Sequence, residues 1–267
     1  MPFATVNETT LYYREAGGGP LALFVHGFPL DHRIWLDQLG GLAHVRRCVA
    51  VDLRGFGRSD PVTEAVLTME VFADDLVTLV EQLGEQRADV IGLSMGGYVA
   101  LALWEARPEL VRTISLVDTR AAADTAAGRA ARDDLTNKLL DAGREGLSAD
   151  LVGSLLGAEP TQIARARLRS MIEESRYETL VAALEGMKQR ADRTALLASI
   201  DVPALVVVGK EDALIPLDQA QAMAEAIPGA RMLVVPGAGH LPPMERPDQV
   251  NSALMELFEG RKVVWWR

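Results

Sequence analysis

The sequence predicts an α/β fold: a mostly parallel, twisted sheet flanked by helices, with a helical cap inserted between two strands. Short runs of Val, Leu and Ile, typical of strands buried on both faces of a parallel sheet, alternate with segments of helical periodicity. The alternation stops between residues 121 and 193, where helical patterns follow one another without a strand-like run. We therefore predict a core formed by residues 1–120 and 194–267 and a cap formed by residues 121–193.

Seven segments are predicted as strands, and each ends in Gly or a polar residue. Residues 9–15 alternate in polarity and precede the Gly-Gly-Gly-Pro stretch at residues 17–20, which indicates a hairpin-type edge strand and its turn. The other six predicted strands begin at Leu21, Cys48, Asp89, Thr113, Ala204 and Met232.

Helices are predicted between these strands. The clearest covers residues 69–83, where apolar residues recur on one helical face. Another begins at Gly96, a third follows Pro216 with Asp218 as its N-cap, and a fourth follows Pro247. The strand-helix units predict right-handed crossover connections, which bring the carboxyl ends of the parallel strands to one edge of the sheet.

The acidic composition limits the possible partners. The chain has 37 Asp and Glu residues against 27 Lys and Arg, a formal net charge of −10 and a pI near 5.0. Nucleic acids and anionic membranes require clustered Lys and Arg, and the sequence has no such cluster. It also shows no basic leader and no apolar run of the roughly 18 residues that a membrane span needs. We expect a cytoplasmic monomer or homodimer without nucleic-acid or membrane partners.

Two further features concern single segments. The one Cys, Cys48, cannot form an internal disulfide, and its apolar surroundings predict a buried structural thiol. Residues 263–267, VVWWR, contain half of the four Trp residues; this tail packs on the domain, joins a dimer or is an appended segment.

The segment Gly92-Leu93-Ser94-Met95-Gly96 joins a predicted strand to a predicted helix. A G-x-S-x-G motif in that position is typical of a nucleophile elbow, where small flanking residues allow a sharp turn and hold the Ser hydroxyl clear of the sheet. The alternative interpretation is a Gly-rich turn in which the Ser caps the helix. No Lys follows as in a phosphate-binding loop, which disfavours nucleotide binding. Ser94 is the predicted nucleophile.

A Ser hydroxyl needs a base at neutral pH, and the sequence offers four His residues. His240 follows the last predicted strand and is the predicted base, whereas His26 is predicted to brace a loop. Asp212 follows the preceding strand and is predicted to orient His240, with Asp118 at the end of an earlier strand as the alternative acid. The His spacing matches no metal motif, so we expect neither a metal nor a cofactor.

Acyl transfer also requires an oxyanion hole, in which backbone N–H groups stabilise the charge that develops on the carbonyl oxygen. One donor is predicted to be the amide of Met95, directly after the nucleophile. The other is predicted to be the amide of Phe28, since Gly27 allows close approach and Pro29 has no N–H. The polar loop of residues 52–60 is interpreted as structural.

The sequence resembles the α/β-hydrolase superfamily over nearly the whole chain, with nucleophile, acid and base in that family's order. The resemblance implies the roles given above for Ser94, Asp212 and His240. From Gly92 to Arg120 the chain is similar to 3-oxoadipate enol-lactonases and to esterases that hydrolyse N-acyl-homoserine lactones. The motifs that carry the resemblance are His26-Gly27, residues 52–60, Gly92 to Gly97, Asp212 and Gly239-His240.

The expected activity is metal-free hydrolysis of a small-molecule carboxylic ester or lactone through an acyl-enzyme. The expected pocket is apolar and suits medium-chain acyl groups better than dianions. The alternatives are an enol-lactonase-like hydrolase, a cofactor-free perhydrolase or haloperoxidase, and a non-catalytic receptor for a small ligand. The segment Phe28-Pro29-Leu30 resembles that of cofactor-free haloperoxidases and perhydrolases, in which a Pro follows the oxyanion residue. The residues expected to line the pocket are Leu30, Met171, Leu180 and Met187.

Overall fold

Eight strands form one sheet in the computed structural model, which describes residues 2–260. In chain order they are β1 (Phe3–Val6), β2 (Thr9–Ala16), β3 (Leu21–Val25), β4 (Arg47–Val51), β5 (Ala88–Leu93), β6 (Val111–Val117), β7 (Ala204–Gly209) and β8 (Arg231–Val235). Their spatial order is β1-β2-β4-β3-β5-β6-β7-β8. Strands β3 to β8 run parallel to one another, and β2 is antiparallel to β1 and β4. The predicted mostly parallel sheet is confirmed.

The N-terminal part of the sheet differs from the prediction. Strand β1 pairs with β2 through a two-residue turn at Asn7 and Glu8, whose φ angles are 39° and 64°. Positive φ at both central positions suits the right-handed twist of a hairpin. Strand β2 therefore lies between β1 and β4, so the prediction of an edge strand at residues 9–15 is wrong. Residues 17–20 lead past β4 to β3 rather than forming a hairpin turn.

Helices pack on the sheet where the periodicity predicted them. Helix α2 begins after Thr68, whose hydroxyl accepts a hydrogen bond from the Val71 amide. Helix α7 follows Pro216, which is itself the N-cap, while Asp218 lies in the first turn, where a carboxylate is favoured by the helix dipole. The helices are α1 (Leu36–Leu42), α2 (Met69–Gln82), α3 (Met95–Ala106), α4 (Ala126–Leu155), α5 (Gln162–Glu174), α6 (Tyr177–Gln189), α7 (Leu217–Ala226), α8 (Pro242–Glu245) and α9 (Pro247–Phe258).

A helical insert consisting of α4, α5 and α6 separates β6 from β7. Helix α4 is kinked at Gly143, which has a φ of 67°. Contacts with the sheet domain hold the insert in place: the Thr179 hydroxyl donates to the Gly55 carbonyl oxygen at 3.0 Å, and Arg167 pairs with Asp37 at 2.6 Å. The insert therefore lies against the loops at the carboxyl edge of the sheet.

Three sequence-based expectations concern parts of the chain outside the site. Cys48 is fully buried in β4, in agreement with the predicted structural thiol. Among residues 2–260, no helix combines the length and the hydropathy needed to cross a bilayer. The tail at residues 263–267 lies outside the described residues.

Candidate active site

Ser94 occupies the sharp turn between β5 and α3, with φ 53° and ψ −113°. A positive φ is costly for a residue with a side chain, so the surroundings must impose it. They do so by close packing: a Cβ added to Gly92 would lie 2.2 Å from the Gly96 carbonyl oxygen. A Cβ added to Gly96 would lie 2.2 Å from the Val25 carbonyl oxygen. Positions 92 and 96 therefore require Gly, because any larger side chain would overlap the neighbouring backbone.

The Ser94 side chain makes no capping hydrogen bond to α3, although Ser94 occupies the N-cap position. Its backbone is held instead, because its N–H donates to Val117 O at 2.8 Å and its carbonyl oxygen accepts from Thr119 Oγ1 at 2.7 Å. This geometry disfavours the interpretation of a capping serine. The hydroxyl is left available at the carboxyl edge of the sheet.

His240 and Asp212 are joined by a hydrogen bond of 2.8 Å between His240 Nδ1 and Asp212 Oδ2. Both side chains are almost completely buried. Asp212 is positioned by its other oxygen, Oδ1, which accepts from the amides of Leu214 at 2.7 Å and Ile215 at 3.2 Å. His240 is positioned by its amide, which donates to Leu155 O of α4 at 2.8 Å. With Nδ1 donating to the carboxylate, Nε2 carries the free lone pair of a neutral imidazole.

Asp118, the alternative acid, lies beside Asp212 and does not replace it as the partner of His240. Burial, followed by repulsion from Asp212, raises the pKa of Asp118 well above its usual range. Burial also acts to raise the pKa of Asp212, but the hydrogen bond and charge of His240 and the hydrogen bond from Asp118 outweigh it, so that this pKa is lowered. Of the two carboxyl groups, Asp212 is therefore the more readily ionised and Asp118 the one that holds its proton more tightly.

Ser94 and His240 line one cavity of about 690 Å³. Its apolar walls come from α3, from the two arms of α4 and from the loop after β7, and the side chains include Tyr98, Leu135, Leu151, Leu214 and Ile215. Charged side chains also line it, namely Arg120, Asp124, Arg132, Asp134, Lys138 and Asp150.

The four residues expected to line the pocket lie elsewhere in the described structure. Leu30, Met171, Leu180 and Met187 are each at most 1% exposed and pack in the hydrophobic core. Met171 borders a separate cavity of about 350 Å³. Apolar periodicity identifies the face of a helix that is buried, and in α5 and α6 this face packs on the domain rather than on the cavity.

The cavity residues differ in how well the sequence could have revealed them. Tyr98 lies four residues after Ser94 on α3, a spacing that places the two on one helical face. Leu214 and Ile215 lie within three residues of Asp212. No local pattern identifies Leu135 or the other α4 residues, because their position depends on the kink and on how the insert packs.

The predicted oxyanion donors lie next to Ser94. A Cβ added to Gly27 would be 3.1 Å from Ser94 Cβ, so the backbone that leads into Phe28 passes against the turn at Ser94. The Phe28 amide donates to no acceptor in the part of the chain that the structure describes. Met95 is the first residue of α3, and its amide has no acceptor within the helix.

His26 braces a loop, as the sequence predicts. Its Nδ1 donates to the Gly27 carbonyl oxygen at 2.8 Å, and its Nε2 accepts from the Leu53 amide at 3.0 Å. Burial, against the opposing charge of Asp52, lowers the pKa of His26 and keeps the ring neutral. His26 therefore fixes the loop that carries Phe28 relative to the loop that follows β4.

Two side-chain groups could in principle hold a metal ion, since one atom from each member lies within 4.8 Å of the others. Both groups are engaged in protein contacts: in the first, Asp52 accepts from the His32 ring at 2.8 Å and from the Arg58 amide at 2.9 Å. A cation would have to displace these bonds. The groups are Asp31, His32 and Asp52, and Asp118, Asp212 and His240.

Comparison with known proteins identifies the family. Residues 20–247 match the family described as alpha/beta hydrolase fold, and the chain belongs to this family. It is 33% identical over 247 residues to a dihydrolipoyllysine-residue acetyltransferase component of the acetoin cleaving system from Pseudomonas putida. That match covers 90% of this chain and 63% of the relative, so the chain spans less than two thirds of the relative's length.

Solved structures with the same fold include enzymes of two kinds. A thermophilic esterase from Thermogutta terrifontis, with malate bound, has a TM-score of 0.91 and 36% identity, over 96% of each chain. An enol-lactonase from Burkholderia xenovorans LB400 has a TM-score of 0.89 and 26% identity, over 97% of this chain and 100% of that chain. The family and the predicted fold are therefore shown.

Proposed function

We propose that this protein is a serine hydrolase that cleaves a carboxylic ester or lactone through an acyl-enzyme on Ser94. The observation that carries the proposal is the 2.8 Å hydrogen bond between Asp212 and His240 at the cavity that Ser94 also lines. A buried carboxylate in this place orients the imidazole and stabilises the imidazolium formed when His240 takes a proton. The esterase and the enol-lactonase among its relatives support this reaction class.

In the proposed mechanism, Ser94 Oγ attacks the carbonyl carbon while His240 Nε2 accepts the hydroxyl proton. The amides of Phe28 and Met95 donate to the resulting oxyanion. The carbon–oxygen bond to the leaving group then breaks, and the leaving oxygen takes the proton from His240. Water attacks the acyl-enzyme with His240 again as base, which releases the acid and restores Ser94.

The helical insert acts in this proposal as a cap, since α4 supplies Leu135 and Leu151 to the wall of the cavity. A wall of this kind excludes water and binds an acyl chain. The candidate substrates are N-acyl-homoserine lactones and open-chain carboxylic esters. An enol-lactonase-like hydrolase is the alternative, since its substrate would place a carboxylate in a cavity that Arg120 lines. Perhydrolysis and ligand binding without turnover remain outcomes of the test.

The test compares kcat/KM for an N-acyl-homoserine lactone and for a p-nitrophenyl ester of the same acyl length, with Ser94→Ala as control. A lactone preference of at least about tenfold, roughly 1.4 kcal/mol of transition-state binding, identifies a lactonase. The reverse preference identifies a carboxylesterase. Turnover that persists in Ser94→Ala would overturn the mechanism.

Covalent labelling separates an enzyme from a receptor. A fluorophosphonate reacts with an activated Ser, so we expect a single adduct on Ser94 in the wild-type protein. Ser59 is an internal control, since it is fully buried and its hydroxyl is bonded to the Asp52 carbonyl oxygen at 2.6 Å. No labelling together with tight binding of a neutral ligand would favour the receptor.

A further inference from the structure

Arg120 directly follows Thr119, whose hydroxyl donates to the Ser94 carbonyl oxygen. Arg120 lines the same cavity as Ser94 and His240. Its Nε atom is buried and has no hydrogen-bond partner among the described residues. No carboxylate of residues 2–260 forms an ion pair with its guanidinium. A cation thus borders the reacting groups without a counter-charge from the described chain.

The other cations of this cavity are neutralised within the chain. Arg132 pairs with Asp124 at 3.2 Å, and Lys138 pairs with Asp150. Asp124 is also bound at 2.8 Å by Arg190, which lies beneath the Tyr98 ring. Asp124 and Asp150, two of the acidic residues of the cavity wall, are therefore already engaged.

On its other side Arg120 borders a second cavity of about 250 Å³. Within residues 2–260, no acidic side chain lines this second cavity. Its remaining walls are apolar or uncharged and include Ala122, Thr125, Leu197 and Met223. Burying a charge without a partner is unfavourable, and a guanidinium offers a planar fork of donors that fits a carboxylate.

We propose that Arg120 binds a carboxylate carried by the substrate, which favours monoesters of dicarboxylic acids and carboxylated lactones over the neutral esters and N-acyl-homoserine lactones named above. This inference rests on the proposed hydrolase function and assigns its specificity. It replaces the sequence-based expectation that the pocket is apolar and uncharged. Binding energy from a group remote from the scissile bond would position the carbonyl against Ser94.

The first experiment uses pairs of substrates that differ in charge but not in shape. One pair carries the charge on the acyl side: mono-p-nitrophenyl adipate and p-nitrophenyl 6-methylheptanoate, in which an isopropyl group replaces the carboxylate. The other carries it on the leaving group: 4-(hexanoyloxy)benzoate and p-nitrophenyl hexanoate. The measured quantity is the anionic-to-neutral ratio of kcat/KM in the wild type and in each variant.

In Arg120→Met, which keeps the length of the side chain without its charge, we expect this ratio to fall about 10- to 100-fold for at least one pair, as for the loss of a charged hydrogen bond. Because the ratio compares two substrates of one variant, a loss of turnover that both members of a pair share cancels, and thermal unfolding reports whether the fold is intact. Arg120→Lys should recover part of the ratio. The matched control is Arg165→Met, an exposed residue of α5 that changes net charge equally.

A second measurement does not depend on turnover. Titration calorimetry of adipate with the Ser94→Ala protein should detect binding, and binding should be lost in Ser94→Ala/Arg120→Met. If both substrate ratios and adipate binding are unchanged by Arg120→Met, the inference is overturned while the hydrolase proposal stands. If no ester is hydrolysed in a Ser94-dependent way, the hydrolase proposal fails, and the calorimetry alone decides whether Arg120 binds a carboxylate.

Discussion

Asp118 and Asp212 bring carboxyl oxygens within 4.8 Å of each other beneath His240, and their pKa values are shifted in opposite directions, that of Asp118 upward by burial and that of Asp212 downward by His240. Asp118 Oδ1 accepts from the Gly209 amide at 2.8 Å, which leaves its other oxygen, buried, to carry the proton. A protonated Asp118 donates to Asp212 and helps to keep Asp212 ionised. The acid behind the imidazole is therefore itself supported by a second acid.

Replacing Asp118 by Asn should preserve this arrangement, because the Asn amide can donate to Asp212 while its oxygen accepts from Gly209. We expect Asp118→Asn to retain ester hydrolysis within about fivefold, whereas Asp118→Ala should lose roughly 1–3 kcal/mol of unfolding free energy through the orphaned Gly209 amide. Denaturant unfolding and kcat/KM of both variants test this. Equal behaviour of the two variants would contradict the hydrogen-bonded role.

The raised pKa of Asp118 also predicts a pH dependence of stability. The folded protein binds this proton more tightly than the unfolded chain, so the unfolding free energy falls as pH rises from the usual Asp range to the raised pKa. Asn cannot titrate. We therefore expect Asp118→Asn to gain stability relative to the wild type as pH increases above about 4. Unfolding curves at several pH values would show this, and a difference independent of pH would refute it.

Asp212→Asn should impair catalysis strongly. With its oxygen held by the Leu214 and Ile215 amides, the Asn would present its NH₂ group to Nδ1, so the imidazole loses both its preferred tautomer and the charge that stabilises the imidazolium. We expect kcat to fall about 10³- to 10⁴-fold with a small change in KM. Glu211→Gln is the control, since the neighbouring Glu211 binds the Ala158 amide and not His240. A loss below tenfold in Asp212→Asn would contradict the assigned role.

Gly96→Ala tests whether the turn at Ser94 depends on close packing. The new methyl group would meet the Val25 carbonyl oxygen, so we expect a loss of about 3 kcal/mol in unfolding free energy or failure to fold. Gly40→Ala is the matched control: Gly40 lies in α1 with open space around its Cα, and Ala should stabilise by up to about 1 kcal/mol there. Thermal unfolding of both proteins gives the comparison.

Cys48 should be unreactive in the folded protein. Burial raises the pKa of its thiol to about 12, and the side chain lies within β4. We expect no reaction with iodoacetamide at pH 8 under native conditions and complete reaction in denaturant. Mass spectrometry gives the stoichiometry, and rapid labelling of the native protein would show that the strand opens.

The carboxyl edge of the sheet could be predicted because parallel strands bring their ends together. Ser94, Asp212 and His240 each follow a parallel strand, and such strands are recognisable from continuous apolar runs. The glycines around Ser94 likewise follow from local geometry. Strand β1 was missed because four residues give almost no periodicity, and the turn at Asn7 lacks the usual Gly.

The cavity could not be predicted in the same way. Its walls depend on the kink of α4 and on how the helical insert packs, and neither is a property of a local pattern. Met171 and Leu180 illustrate this: both were expected to line the pocket, and both are buried in the hydrophobic core instead. Arg120 shows the reverse: a charged residue after a strand gives no indication that the fold will bury its Nε without a partner.

The C-terminal end of α4 is hydrogen-bonded to the loop that carries His240 and to the helix that follows it. His240 donates to Leu155 O, Gly157 donates to Glu245 Oε2 at 2.7 Å, and a Cβ on Gly239 would lie 2.6 Å from the Gly157 amide nitrogen. The helical insert is therefore not an interchangeable module. We expect a chimera that takes the insert of a relative to need residues 155–158 of this chain, because the position of His240 depends on them.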